Sequence, residues 1–284
     1  MSTLTIVKAL ELGLIFSVLA LGEYITFRIL NVADLTVDGS FATGGCVCAM
    51  CSVAGHPLLG LVAGFIAGSM CGFVTAFLQT KMKIQPLLSG ILVMLGLYSI
   101  NIRIMKMAPN VPLPRSMPGL FANKSWILVV LIGFVFVLAM LLYAFFKSNL
   151  GLMLRATGDN EEMIRSSSVN VDCMKFLGLA LSNGLVALAG GLLAQYQHFA
   201  DVTMGTGMLV LGVAGIIVGE AIFRKNTVGQ GICAAIVGSI CYRLIYTFAL
   251  KLGFRATDMN LVNACLVALT ISIPMLKKRG KRHA

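Results

Sequence analysis

The chain has 284 residues, 58% of them hydrophobic and only 12% charged, with a mean hydropathy of +0.92. An ordinary soluble domain carries about 25% charged residues, so this composition cannot cover a water-soluble globule and excludes a soluble enzyme, a nucleic-acid-binding domain and a disordered protein. The net charge of +11 does not point back to nucleic acid, because the basic residues stand at the ends of apolar runs, five of them in the tail Lys277, Lys278, Arg279, Lys281 and Arg282.

A membrane-spanning helix needs about 20 mostly apolar residues. On that measure the sequence predicts an all-α, polytopic membrane helix bundle of about nine transmembrane helices, at 9–30, 39–55, 57–79, 84–107, 124–146, 173–197, 206–222, 228–250 and 259–276. Met1–Glu11 has one lysine and no small-residue cleavage site after the first apolar run, so no signal peptide is expected. Segments 39–55 and 206–222 are short and Gly-rich and are expected to be broken or tilted. Cys46, Cys48 and Cys51 form the only cysteine cluster. With His56 nearby but no second Cys-x-x-Cys, they are read as packing residues, and no metal is expected. Gly60, Gly64, Gly68, Gly190 and Gly191 are read as sites of close helix packing. Pro109, Pro112, Pro114 and Pro118 make 103–124 an irregular loop.

With the tail inside and the N-terminus outside, fourteen basic residues fall inside and seven outside, with Arg243 left within a helix. The excess favours that orientation. The chain also resembles itself. Asp34-Leu35-Thr36 aligns with Asp201-Val202-Thr203, and Ile66-Ala67-Gly68-Ser69-Met70-Cys71 with Ile236-Val237-Gly238-Ser239-Ile240-Cys241, at offsets of 167 and 170. Five segments separate the copies, so an inverted-topology repeat is expected. The halves are 9–146 and 173–276 of one transmembrane domain, 1–284, joined by the connector 147–172. Asp38 or Ser40 is expected to cap the first repeated segment and Thr206 the second. Such a capped half-helix serves either to meet a substrate anion or only to end the segment at the interface.

The connector carries Asp159-x-x-Glu162, a capping-box spacing, and Glu161 and Arg165 at i,i+4. A helix of about two turns is expected over 160–167; alone in water it would be marginal, so it needs a surface to rest on. Gly151-x-x-x-Arg155-Ala156-x-Gly158-x-Asn160, then Glu161-Glu162-Met163 and Val169-Asn170-Val171, resembles the cytoplasmic loop of bacterial ABC importer permeases. The family is the one serving branched-chain amino acids, ribose-type sugars and nucleosides, where the pattern is close to G-x-x-x-R-A-x-G-x-N-x-x-A-A-x-x-x-G-I-N-V. Asp34-Leu35-Thr36-Val37-Asp38-Gly39-Ser40 resembles the family's D-L-S-V-G-S element, and the run from Leu181-Ser182-Asn183-Gly184 to Gly191 resembles its S-G-x-L-A-G-L-A-G helix. The likeness covers about 5–276 and is greatest to the subgroup linked with tryptophan or tyrosine. Glu161-Glu162-Met163-Ile164 and Ser166-Ser167-Ser168 depart from the pattern.

The resemblance implies a permease subunit in the bacterial plasma membrane, in contact with lipid, that imports a small solute, most naturally an amino acid. Gly151, Arg155, Ala156, Gly158, Asp159, Asn160, Glu161, Glu162 and Met163 would form the coupling foot on a separate cytoplasmic ATP-binding subunit. A second permease copy, as a homodimer, and an extracytoplasmic solute-binding protein complete the expected partners, with no nucleic acid. The chain has no G-x-x-x-x-G-K-[ST] loop, so it is expected to bind no cofactor itself, ATP being used by the partner subunit. Its lack of H-E-x-x-H and G-x-S-x-G argues against an enzyme. An ion- or proton-coupled secondary transporter is the alternative that an inverted repeat also fits.

Glu11, Glu23, Glu220 and Arg243 fall in or near apolar spans, where a charge is costly. Arg243 suits a substrate carboxylate, or an ion pair with Glu220 or Glu23 that binds helices together. The candidate translocation path is Asp34, Thr36, Asp38, Ser40, Asp201, Thr203 and Arg243. Gln195, Gln197 and His198 fit either an access path or an interface.

Overall fold

The first apolar run forms α1 (Thr3–Tyr24) and ends in a π-helical turn, Ile25–Ile29. Asn31, at φ 54°, then reverses the chain. The structure is a computed structural model that describes residues 3–114, 119–121, 126–166, 169–223 and 227–251. Along it follow α2 (Thr36–Val53), α3 (Pro57–Thr80), α4 (Pro86–Ile104), β1 (Asn110–Pro112), α5 (Ile127–Lys147), α6 (Asn149–Asp159), α7 (Glu161–Ser166), α8 (Val171–Gln197), β2 (Phe199–Asp201), α9 (Met208–Ile222) and α10 (Val228–Lys251). Pro57 and Pro86 each begin a helix, where a missing N–H costs nothing.

Among the described residues, six helices are long and apolar enough to cross a membrane: Leu4–Ile29, Pro57–Thr80, Pro86–Ile104, Ile127–Lys147, Val171–Gln197 and Val228–Lys251. The two Gly-rich segments become α2, of 18 residues, and α9, of 15, neither of which is among those six. The ninth expected segment, 259–276, lies outside the described residues, as do Arg115, Lys124, Arg224, Lys225 and the basic tail. The expected all-helical character holds with one addition. β1 and β2 pair antiparallel, Asn110 opposite Asp201 and Pro112 opposite Phe199, so the proline-rich loop is pinned to the segment after α8.

α8 is the most enclosed of the six. Small residues let its neighbours close in: a Cβ at Gly44 of α2 would collide with the Ala187 backbone, and one at Gly190 of α8 with the Phe41 carbonyl. On its other side α1 crosses at Gly22, whose carbonyl accepts from Ser182 Oγ at 2.7 Å. The core runs along this axis in two clusters. Ile15, Leu19, Val37, Phe41 and Leu192 lie toward the end that carries the β1–β2 sheet, and Ile25, Phe146, Leu154 and Leu179 toward the connector end. α5 is the least enclosed span and exposes Val129, Ile132, Phe136 and Leu141.

The directions of the short helices matter most. α2 starts beside Asn183, near the middle of α8, and runs to the sheet end, where Cys48 meets Gln195. α3 returns from there to the connector end, where Lys81 faces Asp172 at 3.4 Å. α9 starts beside α2 but runs the other way, bringing Glu220 to Arg28. α10 then returns toward the sheet end, where Arg243 lies over the Phe16 ring.

Candidate functional site

The break between α1 and α2 is built around a buried amide. Asp34 Oδ1 accepts from the Thr36 backbone N–H at 2.9 Å, an Asx turn that starts α2. Asn183 Nδ2 donates to Asp34 Oδ2 at 2.7 Å and to the Leu179 carbonyl at 3.0 Å, while Asn183 Oδ1 accepts from Ser40 Oγ at 2.6 Å. Thr36 Oγ1 and Thr75 Oγ1 share a 2.7 Å hydrogen bond. Asp34, Thr36, Ser40, Thr75 and Asn183 are all buried, so every one of these bonds is made away from bulk water, where an unmade one is costly. The sequence reading assigned no role to Asn183 or Thr75. An amide inside the apolar run of α8 was the available signal.

The second copy of the motif repeats the turn. Asp201 Oδ1 accepts from Thr203 N at 2.7 Å and from Thr203 Oγ1 at 2.5 Å. Here Thr203 is exposed, just after β2, whereas Thr36 is buried. Neither half-helix is capped as expected. Asp38 does not cap its own helix: its carboxylate crosses to α9 and accepts from Gly207 N and Leu209 N, both at 2.9 Å. Ser40 is committed to Asn183, and the N-cap position of α9 is Gly207, at φ 81°, not Thr206. Gly205 explains the crossing, because a Cβ there would strike the Asp38 carbonyl; without one, the loop closes onto the first turn of α2. The positive end of α9 therefore already holds an anion supplied by the protein.

The four intramembrane charges meet different fates. Glu11 accepts from Tyr196 Oη at 2.8 Å. Glu220 is ion-paired with Arg28. Arg243 pairs with neither Glu220 nor Glu23; its guanidinium lies over Phe16, 5.2 Å from the ring centroid, and over Tyr246 at 4.7 Å, and its buried Nε meets no acceptor among the described residues. Rings replace the expected carboxylates because Glu220 faces the opposite end of the bundle. Glu23 has no hydrogen-bond partner on either oxygen among the described residues. Gln195 ties helices together: its Nε2 donates to the Pro57 carbonyl at 2.7 Å.

The connector is two helices rather than one. Ser148 Oγ accepts from Gly151 N at 3.3 Å and starts α6. Asn160 then takes an extended conformation, φ −159° and ψ 100°, and its Oδ1 accepts from Met163 N at 3.1 Å. Asn160 is thus the cap of α7, one place later than a capping box at Asp159 requires, and Asp159 is the last residue of α6. Glu161 binds Lys175 Nζ at 2.6 Å instead of Arg165. A Cβ at Gly151 would collide with the Phe145 carbonyl, and one at Gly158 with the Ile29 carbonyl. Asn31 Nδ2 donates to the Gly158 carbonyl at 3.1 Å. The two glycines therefore press the connector onto the end of α5 and the π-helical turn of α1. Ile164 alone of α7 is buried; Asp159, Glu162, Met163 and Arg165 face outward, with Met163 60% exposed. Arg155 lines a cavity of about 220 Å³ with Tyr24, Arg28, Asp159 and Glu220, and Ala156 accepts the Asn160 N–H at 3.0 Å.

The structure thus brings Asp34, Thr36 and Ser40 together, sets Asp38 at the start of α9, and leaves Asp201 and Thr203 at the end of β2 and Arg243 among aromatic rings.

Against known proteins, the family model described as "Branched-chain amino acid transport system / permease component" matches residues 5–272. A tyrosine transport system permease protein of Clostridioides difficile (strain R20291) is 43% identical over 263 residues, 92% of this chain and 88% of its own length. An uncharacterised protein of Rickettsia prowazekii (strain Madrid E) is 34% identical over 276 residues, 94% of this chain and 96% of its own. A ribose import permease protein of Escherichia coli (strain K12) is 24% identical over 264 residues, 86% of this chain and 78% of its own. No solved structure matches.

Proposed function

Because the chain belongs to the family of branched-chain amino acid transport system permease components, we propose that it is the membrane subunit of an ATP-driven importer, coupled to a separate cytoplasmic ATPase and supplied by an extracytoplasmic solute-binding protein. It is a multi-pass protein of a bacterial membrane and a transport component, not an enzyme. The solute is an amino acid. Aromatic ones come first for testing, since a relative 43% identical bears the name of a tyrosine permease.

The observation that carries the coupling is the exposed face of α6–α7. Asp159, Glu162 and Met163 face outward, while Gly158 and Asn31 hold the connector to the end of α1. A two-turn helix cannot stand alone in water. Here Ile164 and the Glu161–Lys175 pair fasten one side, leaving the other for the ATPase. Force applied there would reach Arg28, and through its ion pair with Glu220 the half-helix α9. The coupling residues are Gly151, Arg155, Ala156, Gly158, Asp159, Asn160, Glu161, Glu162 and Met163.

We place the connector end in the cytoplasm, by the basic-residue count, and read the chain as an inverted repeat of about nine spanning or partly spanning helices. Supporting this, Asp34–Thr36 and Asp201–Thr203 make the same turn, and the pairs α2–α3 and α9–α10 that follow run in opposite senses. The path runs along the junction of α2 and α9. Asp34, Thr36, Asp38 and Ser40 set its wall, Asp201 and Thr203 stand at its outer mouth, and Arg243 lies on the α10 side. A second copy and lipid cover the apolar faces of spans such as α5.

Purification with co-expressed neighbours, followed by reconstitution into vesicles, tests the reading. Uptake should require ATP, the ATPase and the binding protein together. Uptake driven by an ion or proton gradient with the ATPase absent would replace this reading with a secondary transporter.

A further inference from the structure

Glu23 is the exception among the acidic groups inside the bundle. It follows Gly22, which crosses α8 near that helix's middle, so it sits far from either end. It is 1% exposed, and neither carboxyl oxygen has a hydrogen-bond partner among the described residues. Every other buried or half-buried carboxylate near it has donors: Glu11 has Tyr196, Glu220 has Arg28, Asp34 has Asn183 and Thr36, and Asp38 has Gly207 and Leu209.

What faces Glu23 is α9. A Cβ at Gly212 would collide with both carboxyl oxygens, so only a glycine lets the group lie against that backbone. Asp38 and Asp34 are its acidic neighbours, and among the described residues no lysine, arginine or histidine forms an ion pair with it. An unpaired ionised carboxylate in such a place costs several kcal/mol. A carboxyl group with no donor among the described residues is complementary to a ligand that brings its own N–H donors and a positive charge. The facing helix is also the one that the connector reaches through Arg28 and Glu220, so a displacement of α9 would uncover Glu23.

We propose that Glu23 receives the ammonium group of the amino acid as it passes along the α2–α9 junction, where α1 packs against α9, an inference that rests on the importer reading above. Its contact is a charge-assisted hydrogen bond made when α9 withdraws and lost when the helix closes again. The carboxylate then acts on the solute directly, not by holding helices together.

The test uses the reconstituted permease with its ATPase and binding protein, and L-tyrosine, L-tryptophan and L-leucine as probes. Wild-type uptake of one of them establishes the importer reading. If none is taken up, the reading and this inference fall together. With uptake established, Glu23→Gln should lower the rate at least ~10-fold at saturating loaded binding protein, the loss of one charge-assisted contact. ATP hydrolysis stimulated by that binding protein should continue, and Glu23→Asp should recover part of the uptake. Uptake by Glu23→Gln at the wild-type rate overturns the inference and leaves the importer reading standing. A second measurement needs no variant. A hydrophobic carbodiimide should modify Glu23 of the wild-type complex during turnover, as read by mass spectrometry, and saturating transported amino acid should protect it. Modification equal with and without the amino acid overturns the inference.

Discussion

The carboxylate of Asp38, in the first turn of α2, accepts the backbone N–H of Leu209, in the first turn of α9, at 2.9 Å. One side chain thus joins the starts of two half-helices that run toward opposite ends of the bundle. Replacing Asp38 by alanine leaves the Gly207 and Leu209 N–H groups without their acceptor. The expected cost is about 1–2 kcal/mol, seen as a lowered unfolding temperature in detergent. Transport should fall further than stability, and Asp38→Asn, which keeps an acceptor, should fall less.

Asn183 makes three hydrogen bonds at the break before α2, to Asp34, Ser40 and the Leu179 carbonyl. Asn183→Leu fits the apolar run of α8 yet strands the carboxylate and hydroxyl. A loss of roughly 2–4 kcal/mol is expected, measurable as reduced thermal stability. Asn183→Asp should be no better, since it sets a second carboxylate against Asp34.

Arg28 and Glu220 connect the end of α1 to α9. Either Arg28→Ala or Glu220→Ala should impair transport, since each removes one partner of a partly buried ion pair, at a cost of about 1–3 kcal/mol. The exchange Arg28→Glu with Glu220→Arg should restore much of it. A double variant no better than the singles would show that the pair transmits nothing by its contact.

Gly158 has no room for a side chain beside the Ile29 carbonyl. Gly158→Val should push α6 off the π-helical turn. The expected outcome is ATP hydrolysis that continues while uptake drops by about tenfold or more. Hydrolysis and uptake measured in the same vesicles check it.

Glu162 and Met163 project from α7. Glu162→Ala and Met163→Ala should leave the unfolding temperature within about 1 °C of wild type, as surface changes do. Retention of the ATPase through purification should weaken by about tenfold. Unchanged retention would move the docking face elsewhere on the connector.

The apolar runs alone set where helices lie, because a backbone in lipid must satisfy its own hydrogen bonds. They also marked 39–55 and 206–222 as short and Gly-rich, and each forms one unbroken helix, α2 of 18 residues and α9 of 15. The repeated Asp-x-Thr was legible because an Asx turn is local: the carboxylate reaches only two residues ahead. The connector was readable as helical for the same reason, but its cap moved from Asp159 to Asn160, since the kink is set by how Gly158 rests on Ile29.

Sequence by itself determined the class of molecule, the family and the places where the chain breaks, all of which follow from short-range composition and spacing. Only the tertiary structure decided partners: that Asp38 serves α9, that Arg28 takes Glu220 while Arg243 rests on aromatic rings, and that Glu23 has no donor among the described residues. The reason is reach. A side chain's partner is whatever packing brings within about 3 Å, and in a bundle of crossing helices those neighbours come from elements far apart along the chain.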